Sequence, residues 1–231
     1  MLSIVVAFKG DLKELEQFIT SITIQNVNNI ELIIATDVDD ESNISGLIAD
    51  SDLNVYHVRS NGKGIYAALN SAILNMNFSY YIVSGVDDRI FLESIFEVLN
   101  KADKFDILTF SAMIGDRITV PRGGSVSRFG QFCLISSHAI GTIYNKGLHD
   151  TFGMYDTELK IASDQEFNMK LISAREKLKL LECRSIVSGR FSTYGVSSRR
   201  RVFSAFELCQ VLSKHRVLNF RSVFLIVRYL L

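Results

Sequence analysis

Two adjacent carboxylates are the first feature of the sequence that could do chemistry. Asp87 and Asp88 end the segment IVSGVDD, in which an apolar run typical of a buried strand leads into the acidic pair. Neighbouring carboxylates repel each other and lose hydration there, so they need a compensating partner. Mg²⁺ or Mn²⁺ suits such oxygen ligands and also binds phosphate oxygens of a substrate. The alternative is a solvated turn in which one aspartate caps a helix predicted at 90–101.

More acids and one lysine stand in comparable positions. Asp37, Asp39 and Asp40 come directly after the apolar run at 30–36, and Lys63 lies between two glycines in NGKG. Lys63 could reach a phosphate, although the segment lacks the GxxxxGK[ST] pattern of a P-loop.

These residues need elements that bring them together. Four apolar runs predict buried strands, and the segments between them predict helices, the first of which begins with a capping box of Asp11 and Glu14. This alternation indicates a parallel sheet with helices on both faces. Ligands of such sheets bind beyond the carboxyl ends of the strands, so we expect all five acids at one rim, in solvent-facing loops. The predicted strands are 2–8, 30–36, 53–58 and 79–85, and the predicted helices end at 25 or span 40–50 and 64–76.

The composition indicates a globular protein. The chain has 231 residues, is 48% hydrophobic and contains one proline, which suits one domain or one domain with a tail. Cys133, Cys183 and Cys209 form no CxxC pair, which argues against a disulfide framework and a thiolate zinc site. The N-terminus lacks the basic region and the long apolar run of a signal peptide, so the cytosol is the expected compartment.

The charges are divided unevenly along the chain. The formal net charge is zero, yet residues 184–231 contain nine Lys and Arg and one acid, Glu207. A basic segment on an acidic body indicates an anionic neighbour, either membrane or nucleic acid, or else a solvated charged face.

The last residues have the pattern of an amphipathic helix. Bases recur every seven residues beside an apolar stripe, and they interrupt it too often for a membrane span. The helix either lies in the plane of a membrane surface or packs on the core. The bases are Lys214, Arg221 and Arg228, and the stripe is Val217, Phe220, Phe224, Val227 and Leu231.

Five segments, in the right order, resemble those of family 2 glycosyltransferases. They are SIVVAF with LEQFITSITIQNVNNIELII near the start, GKGIYAALNSAI (62–73), SGVDDRI (84–90), SHAIGTIYNKGLHDTFGMYDTELKIASDQEF (137–167) and YGVSS (194–198). The resemblance implies a GT-A nucleotide-diphospho-sugar transferase fold over 1–198, an α/β fold with a mostly parallel central sheet flanked by helices. Residues 199–231 would then be a basic amphipathic helical tail.

The resemblance also implies roles for individual residues. Asp88 matches the acid that coordinates Mn²⁺ or Mg²⁺ on the donor diphosphate, and Asp87 lies nearer the ribose. Asp164 matches the base that takes the proton of the acceptor hydroxyl during an inverting transfer. The structural alternative for Asp164 is an acid held by the dipole at a helix start. His138 matches a histidine near the donor diphosphate, and Glu166 is expected to point away from Asp164.

The donor-binding residues are less well defined, because two segments depart from the family pattern. The loop ATDVDDES lacks the family's Gly-Ser step, so either Asp37 or Asp39 would contact the nucleotide, and UDP-, GDP- and TDP-sugars all stay open. In GKGIYAALN two family aspartates are replaced. Lys63 could bind a phosphate, while Tyr66 and Asn70 either line the donor pocket or merely pack. The remaining histidines, His57, His149 and His215, are expected to be structural.

The function that the resemblance implies is sugar transfer to a glycan or lipid-linked acceptor in bacterial surface polysaccharide synthesis. The protein would be cytoplasmic and peripheral on the inner face of the membrane. One alternative is a non-catalytic nucleotide-sugar-binding module, which the departures would allow. The other is a nucleotidyltransferase, although FKGDLKE replaces its Gly-rich basic loop. A nucleic-acid partner is not expected, because the arginines at 199–201 lack interleaved aromatics.

Overall fold

A computed structural model of the chain describes residues 1–37, 44–49, 51–102, 104–121, 139–192, 201–220, 222–223 and 226. Its strands are β1 (Leu2–Phe8), β2 (Ile30–Thr36), β3 (Val55–Arg59), β4 (Tyr80–Ser84), β5 (Arg89–Ile90), β6 (Ile107–Ile114), β7 (Arg117–Thr119), β8 (Thr142–Asn145) and β9 (Leu180–Phe191). Its helices are α1 (Leu12–Thr23), α2 (Ser45–Ala49), α3 (Ile65–Asn75), α4 (Leu92–Leu99), α5 (Leu148–Phe152), α6 (Ser163–Ser173) and α7 (Arg201–Lys214). Short 3₁₀ helices lie at Ala139–Gly141 and Arg175–Lys177.

The described strands form one sheet, in the order β3-β2-β1-β4-β8-β6-β9-β5, with β7 paired to β6. The first four strands in this order are parallel to one another. β8 then runs antiparallel to both β4 and β6, whereas β6 and β9 are parallel. The mostly parallel α/β sheet predicted from the sequence is confirmed. The antiparallel β8 was not predicted, because a four-residue strand gives too short an apolar run.

Alternate residues of the central strands face opposite sides of the sheet. Val5 and Ile33 pack in the cluster that α3 and α6 cover, while Ile4 and Leu32 pack in the cluster that α1 and α4 cover. All four side chains are fully buried. Burial on both faces explains why the strands are continuously apolar, and each such side chain contributes roughly 1.5–3 kcal/mol to folding.

The helices of the first half begin and end close to their predicted positions. Asp11 is the N-cap of α1, and its side chain accepts a hydrogen bond from Lys13 N at 2.9 Å. α3 follows Gly64, whose φ of 92° lies in the left-handed region that favours glycine. Part of the helix predicted at 40–50 lies outside the described residues, and the rest includes α2. In the described part of the chain, no helix has the length and apolar character needed to cross a membrane.

The C-terminal helix α7 packs on the body of the protein. Val211 is buried in the cluster that α3 and α6 cover, and Lys214 Nζ lies 2.9 Å from Glu166 Oε1 on α6. Packing is therefore observed for residues 201–214, whereas the two alternatives for the helix predicted from Lys214 onward stay predictions. The predicted boundary at 198 lies outside the described residues, as do the bases of the pattern after Lys214.

Candidate active site

The acidic pair lies in a tight turn at the carboxyl end of β4. Asp88 N donates to Gly85 O at 3.3 Å, which closes the turn. Asp87 is exposed, whereas Asp88 is only 8% exposed. Asp88 Oδ2 accepts from Gly85 N at 2.9 Å and Asp88 Oδ1 accepts from Ser192 N at 3.0 Å. The Asp88 carboxylate therefore ties this turn to the residue that follows β9.

The solvent-facing position expected for Asp88 is wrong, because backbone donors on two sides draw its carboxylate inward. The capping alternative is also wrong, since α4 has Phe91 as its N-cap and makes no side-chain cap bond. Leu92 N instead donates to Gln25 Oε1 at 2.8 Å. Burial, with a smaller contribution from the Asp87 charge, raises the pKa of Asp88 to about 6 despite the two N–H bonds.

The two carboxylates converge on Gly85. A Cβ at this position would lie 2.6 Å from Asp87 Oδ1 and 3.4 Å from Asp88 Oδ2. Two negative charges that share a small space favour an oxygen-bound divalent cation between them. The turn therefore fits such a cation, and glycine keeps the space open. Over the described ranges, no group of three or more His, Cys, Asp and Glu side chains is arranged to hold a metal.

A third carboxylate joins the loops at the ends of β2 and β3. Asp37 follows β2 directly, and its Oδ2 accepts a hydrogen bond from Gly64 N at 3.1 Å. Lys63 is exposed beside it, at the start of the 11-residue helix α3. The positive end of this helix and the lysine together favour an anion at this rim.

Asp164 lies in the first turn of α6 and contacts the first turn of α3. The Tyr66 hydroxyl lies 2.9 Å from Asp164 Oδ1 and 2.5 Å from the carbonyl oxygen of Ile161. Tyr66 is two residues beyond Gly64, which binds Asp37. The start of α3 thus connects the candidate base to the rim where β2 and β3 end.

The Tyr66 hydroxyl has one hydrogen for two acceptors. A protonated Asp164 can donate to Tyr66, which then donates to Ile161 O, whereas an ionised Asp164 competes with that carbonyl for the hydrogen. Burial raises the pKa of Asp164, and the charge of Glu207 adds to this, while hydrogen bonds from Tyr66 and from backbone N–H groups lower it. A carboxyl whose pKa is raised is suited to accept a proton near neutral pH.

Asn70, the other predicted donor-pocket residue on α3, has both ends of its amide engaged. Its Nδ2 donates to Tyr155 O at 2.8 Å, and its Oδ1 accepts from Tyr155 N at 3.0 Å. The side chain pairs with the backbone as a neighbouring strand would. This geometry favours the packing alternative and gives Asn70 the task of holding the segment before α6.

The residues expected to be structural have structural partners. His149 Nδ1 donates to Gly153 O at 3.0 Å, and its Nε2 lies 2.6 Å from the Tyr81 hydroxyl. Burial lowers the pKa of His149 and so favours the neutral ring. Glu166 is buried and pairs with Lys170 and Lys214, both at 2.9 Å.

Glu207 is the residue near this site that sequence reasoning missed. It is 3% exposed and accepts three backbone N–H bonds from the segment before α6. The one feature of the sequence that marked Glu207 is that it is the single acid in the basic stretch 184–231. The predicted site residues Asp39 and His138, and the segment YGVSS, lie outside the described residues.

No protein-family model and no curated protein sequence matches the chain. Solved structures do match. The mannosyltransferase PcManGT from Pyrobaculum calidifontis, in complex with GDP-Man and Mn²⁺, gives a TM-score of 0.67 at 14% identity over 99% of this chain and 69% of that one. S. aureus TarS in complex with UDP-GlcNAc gives 0.63 at 17% identity over 99% of this chain and 70% of that one.

Two other TarS structures match 91% of this chain at 18% identity, with TM-scores of 0.60 and 0.62. The chain spans 65% of the length of one and 39% of the other. At these identities the likeness concerns the fold. The chain has the α/β fold of nucleotide-sugar glycosyltransferases, and the GT-A prediction is confirmed for the fold.

Proposed function

We propose that the protein is a glycosyltransferase that moves a sugar from a nucleotide-diphosphate donor to a hydroxyl of a glycan or lipid-linked acceptor. The observation that carries this proposal is that helix α3 contacts two features of the candidate site. One is a rim of carboxylates, from Asp37 to the Asp87–Asp88 turn, and the other is Asp164 bound to Tyr66. Proteins with this fold that were solved with UDP-GlcNAc or GDP-Man support a donor of the same class.

The donor diphosphate would lie along the rim formed by the ends of β2, β3 and β4. Lys63 and the positive end of α3 would face its negative charge. Asp37 is fixed by Gly64 N and would then border the nucleoside. The sugar type and the base are open among UDP-, GDP- and TDP-sugars.

Asp88 would be the ligand of a divalent cation, with Asp87 beside it and nearer the ribose of the donor. Their convergence on Gly85 supports this assignment, and phosphate oxygens of the donor would complete the coordination. When bound, Mn²⁺ or Mg²⁺ neutralises the charge that develops on the departing diphosphate.

Asp164 would be the general base of an inverting transfer. As the acceptor oxygen forms its bond to the anomeric carbon, its proton passes to the Asp164 carboxylate, and the bond from that carbon to the donor phosphate breaks. The Tyr66 hydroxyl fixes the carboxylate, and a positioned base typically contributes on the order of 10²–10⁴-fold to the rate. The nucleoside diphosphate leaves from the opposite face of the sugar.

The acceptor would be presented near an anionic membrane surface. α7 exposes three apolar side chains, Val202, Phe203 and Phe206, at 76%, 42% and 59%. They lie within the stretch that has nine bases and one acid. Apolar and basic groups on one helix suit an interfacial position.

A thermal-shift screen of UDP-, GDP- and TDP-sugars, each with and without Mn²⁺, tests the proposed function. A ligand that binds only the folded state stabilises it by about 2.7 kcal/mol at a concentration of 100 Kd. We expect one donor class to raise the melting temperature, and Mn²⁺ to enlarge that shift. The free sugars are the control. No shift with any donor in the presence of Mn²⁺ would contradict the proposal.

A further inference from the structure

The C-terminal helix α7 reaches the candidate active site through one buried carboxylate. Glu207 Oε1 accepts from Lys160 N at 2.7 Å, and its Oε2 accepts from Ile161 N at 2.7 Å and from Ala162 N at 3.0 Å. These donors precede the first turn of α6, whose N-cap Ala162 has no side chain that could cap it. Burying a carboxylate is costly unless it is hydrogen-bonded, and three N–H groups at the positive end of α6 compensate here.

The segment that Glu207 holds is also held from the opposite side. Ile161 donates its N–H to Glu207, and its carbonyl accepts from the Tyr66 hydroxyl at 2.5 Å. Tyr66 in turn lies 2.9 Å from Asp164 Oδ1. A continuous series of hydrogen bonds therefore connects α7 to the candidate base.

We propose that Glu207 is a positioning residue for Asp164, which makes α7 part of the active site. This inference rests on the proposed function. Glu207 touches no reacting atom. It fixes the Ile161 peptide, whose carbonyl orients Tyr66, and it fixes the start of the helix that carries Asp164. Misplacement of a catalytic group by about 1 Å can reduce the rate on the order of 10²-fold, so this restraint matters.

Glu207 also acts on Asp164 through its charge. The titratable groups that face the Asp164 carboxyl among the described residues are Tyr66 from α3, Tyr144 from β8, Tyr155 from the preceding loop and Glu207 from α7. Burial raises the pKa of all three tyrosines, so they stay neutral. Among these groups, the charge of Glu207 is the one that raises the pKa of Asp164, because it disfavours a second negative charge nearby.

The test is Glu207→Gln in the full chain, with the donor identified by the thermal-shift screen. The variant's amide keeps one accepting oxygen but turns an NH₂ group toward a backbone N–H. We expect kcat to fall roughly 10- to 100-fold, and KM for the donor to stay near its wild-type value. The acid limb of the kcat–pH profile should move to lower pH, because a negative charge near Asp164 is lost. Glu207→Asp retains the charge and should retain the position of that limb.

Two matched controls separate positioning from general destabilisation. Lys214→Met removes another contact between α7 and α6, the ion pair with Glu166, without touching residues 160–162. Glu158→Gln removes an exposed charge close to the same segment. Both should keep the wild-type kcat and pH profile. A Lys214→Met variant that loses as much kcat as Glu207→Gln would overturn the proposal.

NMR titration of the Asp164 carboxyl carbon tests the inference without turnover. A lower Asp164 pKa in Glu207→Gln shows that Glu207 acts on Asp164 even if no donor is transferred, in which case only the proposed function fails. An unchanged Asp164 titration would overturn the inference. Tyr66→Phe gives a second test that does not depend on the Glu207 variant folding. The Tyr66→Phe variant loses a hydrogen bond to the Asp164 carboxylate, so the pKa of Asp164 should rise. An unchanged Asp164 pKa in this variant would contradict the proposed series of hydrogen bonds.

Discussion

Asp87 and Asp88 are adjacent residues with different physical tasks. Asp88 accepts two backbone N–H bonds and is nearly buried, whereas Asp87 is exposed. The cost of removing each charge should differ accordingly. Asp88 combines a structural bond between the β4 turn and Ser192 with its proposed place at the cation, and Asp87 has only the second.

Asp88→Asn should therefore affect folding as well as binding. The variant's NH₂ group would face a backbone N–H of Gly85 or Ser192, and a donor left without an acceptor costs about 1–3 kcal/mol. We expect that loss in denaturant unfolding, together with loss of the Mn²⁺-dependent donor shift. Asp87→Asn should weaken the shift alone.

Asp116→Asn, on an exposed turn between β6 and β7, is the matched control and should change neither quantity. A Mn²⁺-dependent shift that survives in both Asp87→Asn and Asp88→Asn would remove the acidic turn from the cation site.

The raised pKa of Asp164 predicts a definite pH dependence. The base works when ionised, so kcat should decline as pH falls through a pKa above the usual aspartate value of about 3.9. The same raised pKa changes folding stability in the opposite direction, so stability should fall as pH rises. A group whose pKa is raised by folding contributes stability below its unfolded pKa and loses it as pH rises through the folded pKa. Asp164→Asn should thus melt higher than wild type at neutral pH, and the difference should vanish in acid.

Individual site residues could be predicted only in the segments that resemble family motifs. Asp164 and Asp88 were predicted as site residues because a family-like motif surrounds each of them, and their roles stay predictions. The sequence could not reveal that Asn70 pairs with the Tyr155 backbone or that Glu207 binds residues 160–162. Both interactions depend on which backbone groups the fold leaves unpaired, and residue types alone do not contain that information.

At the scale of elements, α7 has two different faces. One face carries Glu207 and buried apolar residues against the core, and the other exposes Val202, Phe203 and Phe206. The sequence predicted an amphipathic helix from Lys214 onward, beyond α7, that either packs on the core or lies on a membrane. The described residues show packing for 201–214, and the exposed apolar face leaves a membrane role compatible with it.

Phe203→Ser combined with Phe206→Ser tests that role. Both side chains are partly exposed, so the melting temperature should hardly change. Binding to vesicles that contain phosphatidylglycerol should weaken more than tenfold, since burying a phenyl ring contributes roughly 1.5–3 kcal/mol and about 1.4 kcal/mol is a factor of ten. Vesicle flotation measures this loss.

The control is Ile24→Ser combined with Leu74→Ser, which removes apolar groups that are 66% and 61% exposed, one at the C-cap of α1 and one on α3. Equal vesicle binding by wild type and the Phe203–Phe206 variant would assign α7 to packing alone.

The strands of the first half were predictable because each is buried on both faces. β9 was not predicted, since most of its 12 residues are partly or fully exposed and the apolar pattern is broken. β6 was also missed, although its first six residues are buried. Its sequence, ILTFSAMI, mixes hydroxyl groups into the run, and Ser111 satisfies its hydroxyl on Arg184 O at 2.6 Å. Tertiary partners of this kind are invisible in one sequence.

In the molecule as a whole, the two halves of the sheet carry different parts of the candidate site. Its parallel half, β3 to β4, ends in the loops that carry Asp37, Lys63 and the acidic turn. The mixed half and α6 bring Asp164 toward that rim, and α7 holds α6 in place. The proposed donor site and the proposed base thus lie on different halves of the sheet, as transfer between two substrates would require.

Turnover and donor affinity, measured together in Asp164→Asn, decide whether Asp164 is the base. The amide keeps the side chain's shape and can still accept from Tyr66, but it cannot take the acceptor's proton. We expect sugar transfer to fall by on the order of 10²–10⁴-fold while the donor Kd stays within about twofold. Near-normal transfer by the variant, or loss of donor binding in step with the rate, would contradict the role of Asp164 as the base of a glycosyltransferase.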